Sequence, residues 1–204
     1  EVGLITYMRT DSTRVSPEAV DQAREWIRKE FGGDYVPGTP QLYGGQQQRA
    51  AQDAHEAIRP TDVTILPSEA ARYLDPDQAR LYELIWLRFV ASQMTPAVYD
   101  TTTVDFDLSG SSGKRYVFRA TGSIVKFPGF TRLYIEATEV GDYKRLDDLE
   151  PLPELAPGDA AALKALEPKQ HFTQPPPRFS EASLVKELEE KGIGRPSTYA
   201  QIIS

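Results

Sequence analysis

The chain has 204 residues, 40% hydrophobic and 26% charged, with no cysteine and a formal net charge of −7. This composition fits one large globular domain or two small ones and excludes a disulfide framework, a thiolate metal site and a cysteine nucleophile. An acidic chain draws little affinity for a polyanion from bulk charge. No apolar run nears the about 20 residues that span a bilayer and no basic-then-apolar signal pattern opens the chain, so a cytoplasmic protein without a membrane partner is expected.

The acidic excess is local. Residues 61–170 carry 12 Lys/Arg against 17 Asp/Glu, whereas residues 171–204 carry 4 of each. Contacts to nucleic acid are therefore expected in the outer segments.

In chain order, GLITYMRTDS is an apolar strand-like approach that ends at Tyr7. SPEAVDQAREWIRKEFGG predicts a helix with Ser16 as N-cap, Pro17 at its first position and Gly32 past its end. Val20, Ala23, Ile27 and Phe31 share one face of it. A loop follows, and QQQRAAQDAHEAIRP reads as a helix that must stop near Pro60. Residues 67–94 supply two more helical runs, the second with Leu81, Leu84, Ile85 and Phe89 facing inward.

Beyond about residue 95 the period changes. TTTVDFDL and RYVFRATG alternate around the polar turn SGSSGK, which predicts a β-hairpin over 97–121. SIVKFPGF and RLYIEA are expected to extend it into a small antiparallel sheet. The acidic, proline-rich stretch 148–170 fits an edge strand and a connecting loop. HFTQPPPRF is a stiff extended segment. SEASLVKELEEKG is a helix capped by Ser180 with Leu184, Val185 and Leu188 apolar, and GIGR turns into a second helix at PSTYAQIIS. Helix, glycine turn and helix outline a helix-turn-helix unit.

Three features bear on chemistry, each with an ordinary alternative. HEAIR at His55–Arg59 lacks the second histidine that a zinc protease helix needs. On a helix, His55 and Arg59 would share a face and could hold an oxyanion, or they could merely complement a helix C-terminus. Tyr7 is a strand-end aromatic or a nucleophile. As a nucleophile it is handicapped by a free pKa near 10, which leaves roughly one phenolate in a thousand at neutral pH. In a strand Tyr7, Arg9 and Asp11 point to one side, and a cation there would favour the phenolate and hold a phosphate oxygen. Arg195, Ser197 and Thr198 sit at a helix N-terminus, suited to an anion or to simple capping.

GLITYMRTDSTRVS closely resembles the active-site tyrosine segment of type IA DNA topoisomerases. QDAHEAIRPTDV and PPPRFSEASLVKELEEKGIGRPSTYAQIIS resemble two further segments of that family, in the family's order. Met8 and Arg59 resemble the bacterial topoisomerase I branch more than topoisomerase III or reverse gyrase.

The resemblance implies an α+β multidomain architecture. Residues 1–95 would form a helix-rich, winged-helix-like tyrosine domain, 96–168 part of a β-rich arch, and 169–204 the start of a helical domain lining a DNA groove. Tyr7 would attack a phosphodiester of single-stranded DNA to give a 5′-phosphotyrosine, with Arg9 on the scissile phosphate and His55 on a neighbouring one. Asp11, Arg59, Arg178, Arg195, Ser197 and Thr198 would order the site or contact DNA. Strand passage and religation would relax negative supercoils without ATP. Mg²⁺ would be held by a Toprim domain, which nothing in residues 1–204 matches, so the chain reads as a central fragment unable to relax DNA alone. The parent would be a monomer associated with the nucleoid. The competing readings are a non-catalytic helix-turn-helix DNA-binding module, an interaction domain and a nuclease.

Overall fold

The structure, a computed structural model, describes residues 3–8, 10, 12–43, 56–134 and 151–203. Its regular elements are helices α1 (Pro17–Phe31), α2 (Pro67–Ala70) and α3 (Pro76–Ser92), strands β1 (Val98–Ser109) and β2 (Arg115–Phe127), and helices α4 (Glu181–Glu190) and α5 (Pro196–Ile203). The architecture is α+β, with five helices and, among the described residues, one two-stranded antiparallel sheet. The chain divides into two compact units. One gathers Glu1–Pro96, Gly129–Glu136 and Phe179–Ser204, and the other Ala97–Pro128 and Ala137–Arg178.

α1 begins where its sequence says it should. The Ser16 side chain accepts the Ala19 amide, Pro17 fills the first turn without wasting a donor, and Gly32 ends the helix at φ 98°, a conformation that glycine adopts without a Cβ penalty. Its Val20, Ala23 and Ile27 are buried. α3 starts on a reciprocal capping box between Asp75 and Gln78. The two helices meet through Trp26 and Trp86, whose rings stand edge to face at 4.8 Å.

The inward face of α3 differs from expectation. Tyr82, Trp86, Phe89 and Val90 are buried, whereas Leu81 and Leu84 are exposed. The two polar-tipped aromatics win the inner face because each finds an acceptor there. Trp86 Nε1 donates to the Val63 carbonyl at 3.0 Å and the Tyr82 hydroxyl to the Ile65 carbonyl at 2.8 Å, so α3 also fixes the chain leaving the 56–62 segment. Burial, with the nearby Asp62 charge, pushes the Tyr82 hydroxyl up to about 12. Arg132 closes the same unit, its guanidinium 5.8 Å from the Phe31 ring and 5.7 Å from the Tyr35 ring.

In the second unit β1 and β2 form a long hairpin, with Asp105 opposite Arg119 and Thr103 opposite Thr121. Arg119 and Arg115 grip Asp105 and Asp107 with bidentate hydrogen bonds of 2.7–2.9 Å, which pins the register. SIVKF adds no further strand; it is the far half of β2. Pro128 has no amide to donate, and Gly129 turns the chain at φ 51° so tightly against the Thr95 and Pro96 backbone that a Cβ would clash. A 3-10 turn, Gly129–Arg132, follows. The described part of the acidic stretch, 151–170, contains no edge strand, consistent with its prolines.

The reassigned face of α3 makes a direct prediction. Phe89→Ala should cost about 3–5 kcal/mol of unfolding free energy, whereas Leu84→Ala should stay within about 0.5 kcal/mol. Urea denaturation of the two variants reads both values, and equal costs would contradict the assignment.

Candidate active site

Residues 56–59 are not helical and Pro60 forms a β-bridge, which corrects the last turn of the helix expected over 46–60; residues 46–55 lie outside the described residues. The residue before a proline is sterically disfavoured in the helical region. Here Arg59 and Pro60 instead lie antiparallel to the segment that leads into Tyr7, with Ile5 bridged to Pro60. Thr6 N–H donates to the Arg59 carbonyl at 2.9 Å and Thr61 N–H to the Leu4 carbonyl at 3.0 Å. The Thr6 hydroxyl donates to the Ala57 carbonyl at 2.7 Å and accepts the Arg59 amide at 3.0 Å. A threonine can serve both roles because its hydroxyl is one donor with two acceptor lone pairs.

The 56–60 segment also holds the chain beyond the tyrosine. Ala57 N–H donates to the Arg14 carbonyl at 2.7 Å, and Glu56 Oε1 accepts the Ser16 amide at 2.6 Å. In an ordinary capping box the third helical residue supplies a carboxylate to the N-cap amide. α1 has Ala19 at that position, and Glu56 supplies the carboxylate from 40 residues away. Thr6 before Tyr7 and Arg14 and Ser16 after it are thus tied to one short segment.

An ion pair stiffens that segment. Arg59 Nε and a terminal nitrogen donate to the two Glu56 oxygens at 2.9 and 3.0 Å, and its other terminal nitrogen donates to the Pro60 carbonyl at 2.9 Å. The Arg59 side chain is 12% exposed. Its fork is therefore directed at Glu56 and its own backbone, a bidentate geometry that lysine could not reproduce. Burial is the largest influence on the Glu56 carboxyl and raises its pKa. The Arg59 hydrogen bonds, the Ser16 amide and the Arg59 charge together outweigh burial and bring the pKa below the ordinary 4.5.

Tyr7 directly follows the tied Thr6 and is 69% exposed. It is not a core aromatic. Arg9, Asp11 and His55 lie outside the described residues, so the expected pairing of His55 with Arg59 on one helix face has no support from residues 56–59.

The remaining expected DNA contacts lie elsewhere. Arg178 is exposed in the segment without regular structure before α4. α4 is capped by Ser180 and Ser183 in a reciprocal box, and the turn to α5 passes through Gly192 and Gly194 at φ 66° and 78°. A Cβ on Gly194 would press on Ile202, Thr198 and Tyr199. Arg195 and Ser197 are exposed. The Thr198 hydroxyl accepts the Arg195 amide at 2.9 Å and bonds back to its carbonyl, so it serves as a cap, as its residue type allows.

Thr6, Ser16 and Glu56 were absent from the candidate site residues read from sequence. Glu56 was visible only as the acid inside HEAIR, where a metal motif drew attention to the histidine.

Because the folded Glu56 pKa is depressed, the pair's stabilising contribution is present above the ordinary carboxylate value of 4.5 and is lost as pH falls through the folded value. Carboxyl carbon NMR should show Glu56 titrating below 4.5, with Arg59→Ala moving the midpoint upward. A midpoint above that value in the unsubstituted chain would contradict the geometry.

A family model described as DNA topoisomerase matches residues 1–204. DNA topoisomerase 1 of Vibrio cholerae is 50% identical over 204 residues, covering 100% of this chain and 22% of that protein. DNA topoisomerase 1 of Rickettsia bellii is 45% identical over 203 residues, covering 100% of this chain and 24% of its own length. The full-length topoisomerase I structure from Thermotoga maritima superposes with a TM-score of 0.70 at 40% identity, over 99% of this chain and 30% of that one. The chain thus spans about a quarter of these relatives, and across that span it belongs to the type IA DNA topoisomerase family and is similar to bacterial DNA topoisomerase I.

Proposed function

We propose that this chain carries the nucleophile of an ATP-independent type IA topoisomerase. The observation that carries the reading is the exposed Tyr7, set immediately after a strand end tied down by Thr6. A nucleophile needs an accessible oxygen on a rigid base, so that the entropy of alignment is lost on folding and not in the reaction.

The Tyr7 oxygen attacks phosphorus in a single DNA strand and gives up its proton as the new bond forms. The bond from phosphorus to the 3′-oxygen breaks, and that oxygen takes up a proton and leaves as a hydroxyl. Because one ester replaces another, the bond energy is stored and religation is the same exchange run backwards. Arg9 is proposed to hold the scissile phosphate, His55 its neighbour, and Asp11 to order the site. Arg178, Arg195 and Ser197, exposed on and beside the helix-turn-helix outline, are proposed to contact the strand. Strand passage through the gap would relax negative supercoils in a monomeric, nucleoid-associated parent.

The domain reading at 1–95, 96–168 and 169–204 belongs to this proposal, including the winged-helix likeness of the first part. Mg²⁺ is proposed for the parent enzyme, held by Toprim carboxylates. Among the described residues no three His, Cys, Asp or Glu side chains gather to hold a metal ion, and the roles proposed for this chain are nucleophilic, phosphate-holding and positional.

Two experiments test the reading. With the Toprim piece, Mg²⁺ and a labelled single-stranded oligonucleotide, denaturation and mass spectrometry should find DNA on Tyr7, and Tyr7→Phe should abolish the adduct. Binding of DNA without an adduct would instead favour a non-catalytic helix-turn-helix module. The 204-residue chain alone with Mg²⁺ should leave supercoiled plasmid unrelaxed, and measurable relaxation would contradict the division of labour between the two pieces.

A further inference from the structure

The segment that holds Glu56 and Arg59 is bonded to the chain on both sides of Tyr7. Before Tyr7, Thr6 is bonded to the Ala57 and Arg59 backbone at 2.7–3.0 Å. After it, Arg14 accepts the Ala57 amide and Ser16 donates to Glu56 at 2.7 and 2.6 Å. Between these two attachments, the local path of 56–60 is fixed by the bidentate ion pair and by Arg59 donating to the Pro60 carbonyl.

We infer that the Glu56–Arg59 pair is a positioning device for the nucleophile, holding Thr6 on one side of Tyr7 and Arg14 and Ser16 on the other so that the Tyr7 oxygen meets a phosphate in line. Arg59 accordingly acts through the protein and not by contacting DNA. The inference deepens the proposed tyrosine chemistry and rests on it.

Three physical points favour this role over simple stabilisation. Glu56 Oε1 receives both Arg59 Nε and the Ser16 amide, so the pair bears directly on the chain that leaves Tyr7. The hydrophobic centre of the unit lies instead on α1 and α3, built from Val20, Ile27, Trp86 and Val90. Finally, Glu56 replaces the local half of a capping box by a long-range one. A local acid at position 19 would cap α1 equally well, so capping alone does not require an acid from the segment that holds Thr6.

The test separates cleavage from binding and from folding. In the full-length enzyme containing this chain, Glu56→Gln keeps size and one acceptor but removes the charge, and Arg59→Lys keeps the charge but removes the fork. Single-turnover cleavage at saturating oligonucleotide should fall roughly tenfold to a hundredfold for both variants, since small misplacements of a reacting group have effects of that order. Affinity for the same oligonucleotide should change less than about twofold, as expected when no phosphate contact is removed. In the 204-residue chain, trypsin should cut after Arg14 faster in Glu56→Gln than in the unsubstituted chain, and by more than any fall in thermal midpoint accounts for.

Unsubstituted cleavage rates in both variants, or losses of cleavage that follow DNA affinity or thermal midpoint in parallel, would overturn the positioning role. Unchanged trypsin sensitivity would overturn it independently of any DNA chemistry. Absence of a Tyr7 adduct in the unsubstituted enzyme would sink the nucleophile reading itself and the positioning role with it.

Discussion

Pro60 removes a backbone donor and disfavours helical geometry at Arg59, and the path of the chain around Tyr7 builds on that. The backbone of 57–61 finds partners on both sides of the tyrosine, Leu4 and Thr6 before it and Arg14 after it, and the Glu56 carboxylate adds the Ser16 amide. A buried or half-buried backbone polar group left unpaired costs about as much as a lost hydrogen bond, so these attachments are mutually enforcing. The Glu56–Arg59 pair then removes freedom that an isolated segment of five residues without regular structure would keep.

The scaffold behind this clip is a small apolar core with polar handles. Trp86 and Tyr82 bury their rings and spend their donors on Val63 and Ile65, so packing of α3 also anchors the chain that emerges from the clip. Thr95 continues the pattern, its amide bonded to the Tyr35 carbonyl and its hydroxyl to that of Asp34. The hairpin works on another principle. Both its faces carry exposed residues, among them Val117, Phe118, Ile124 and Val125, and a two-stranded ribbon alone is marginal in water; its cross-strand Arg–Asp forks set register more than they supply stability.

Local signals were legible in the sequence and long-range ones were not. Ser16, Pro17 and Gly32 bound α1 as their residue types demand, and Ser180 and Gly192 do the same for α4. The alternation around SGSSGK located the hairpin. Failure came where a distant partner decided the outcome. Leu81 and Leu84 have the right periodicity for a core face, yet Tyr82 and Trp86 took it because carbonyls at 63 and 65 were waiting. The 51–60 stretch has helix-forming composition, yet its described end pairs with residues 3–6. Tyr7 stood out through resemblance to a known segment, and Glu56 did not, since nothing local marks a carboxylate that caps a helix 40 residues away.

One short segment ties the chain on both sides of Tyr7, through Thr6 before it and Arg14 and Ser16 after it. Amide hydrogen exchange in the 204-residue chain tests it directly, because the donors are separate, observable amides: Thr6 to Arg59, Ala57 to Arg14 and Thr61 to Leu4. The account predicts that these three amides are protected and open together, with a common free energy below that of core amides such as Val90. Exchange of Thr6 and Ala57 at the rates of an unstructured peptide, while Val90 stays protected, would contradict it.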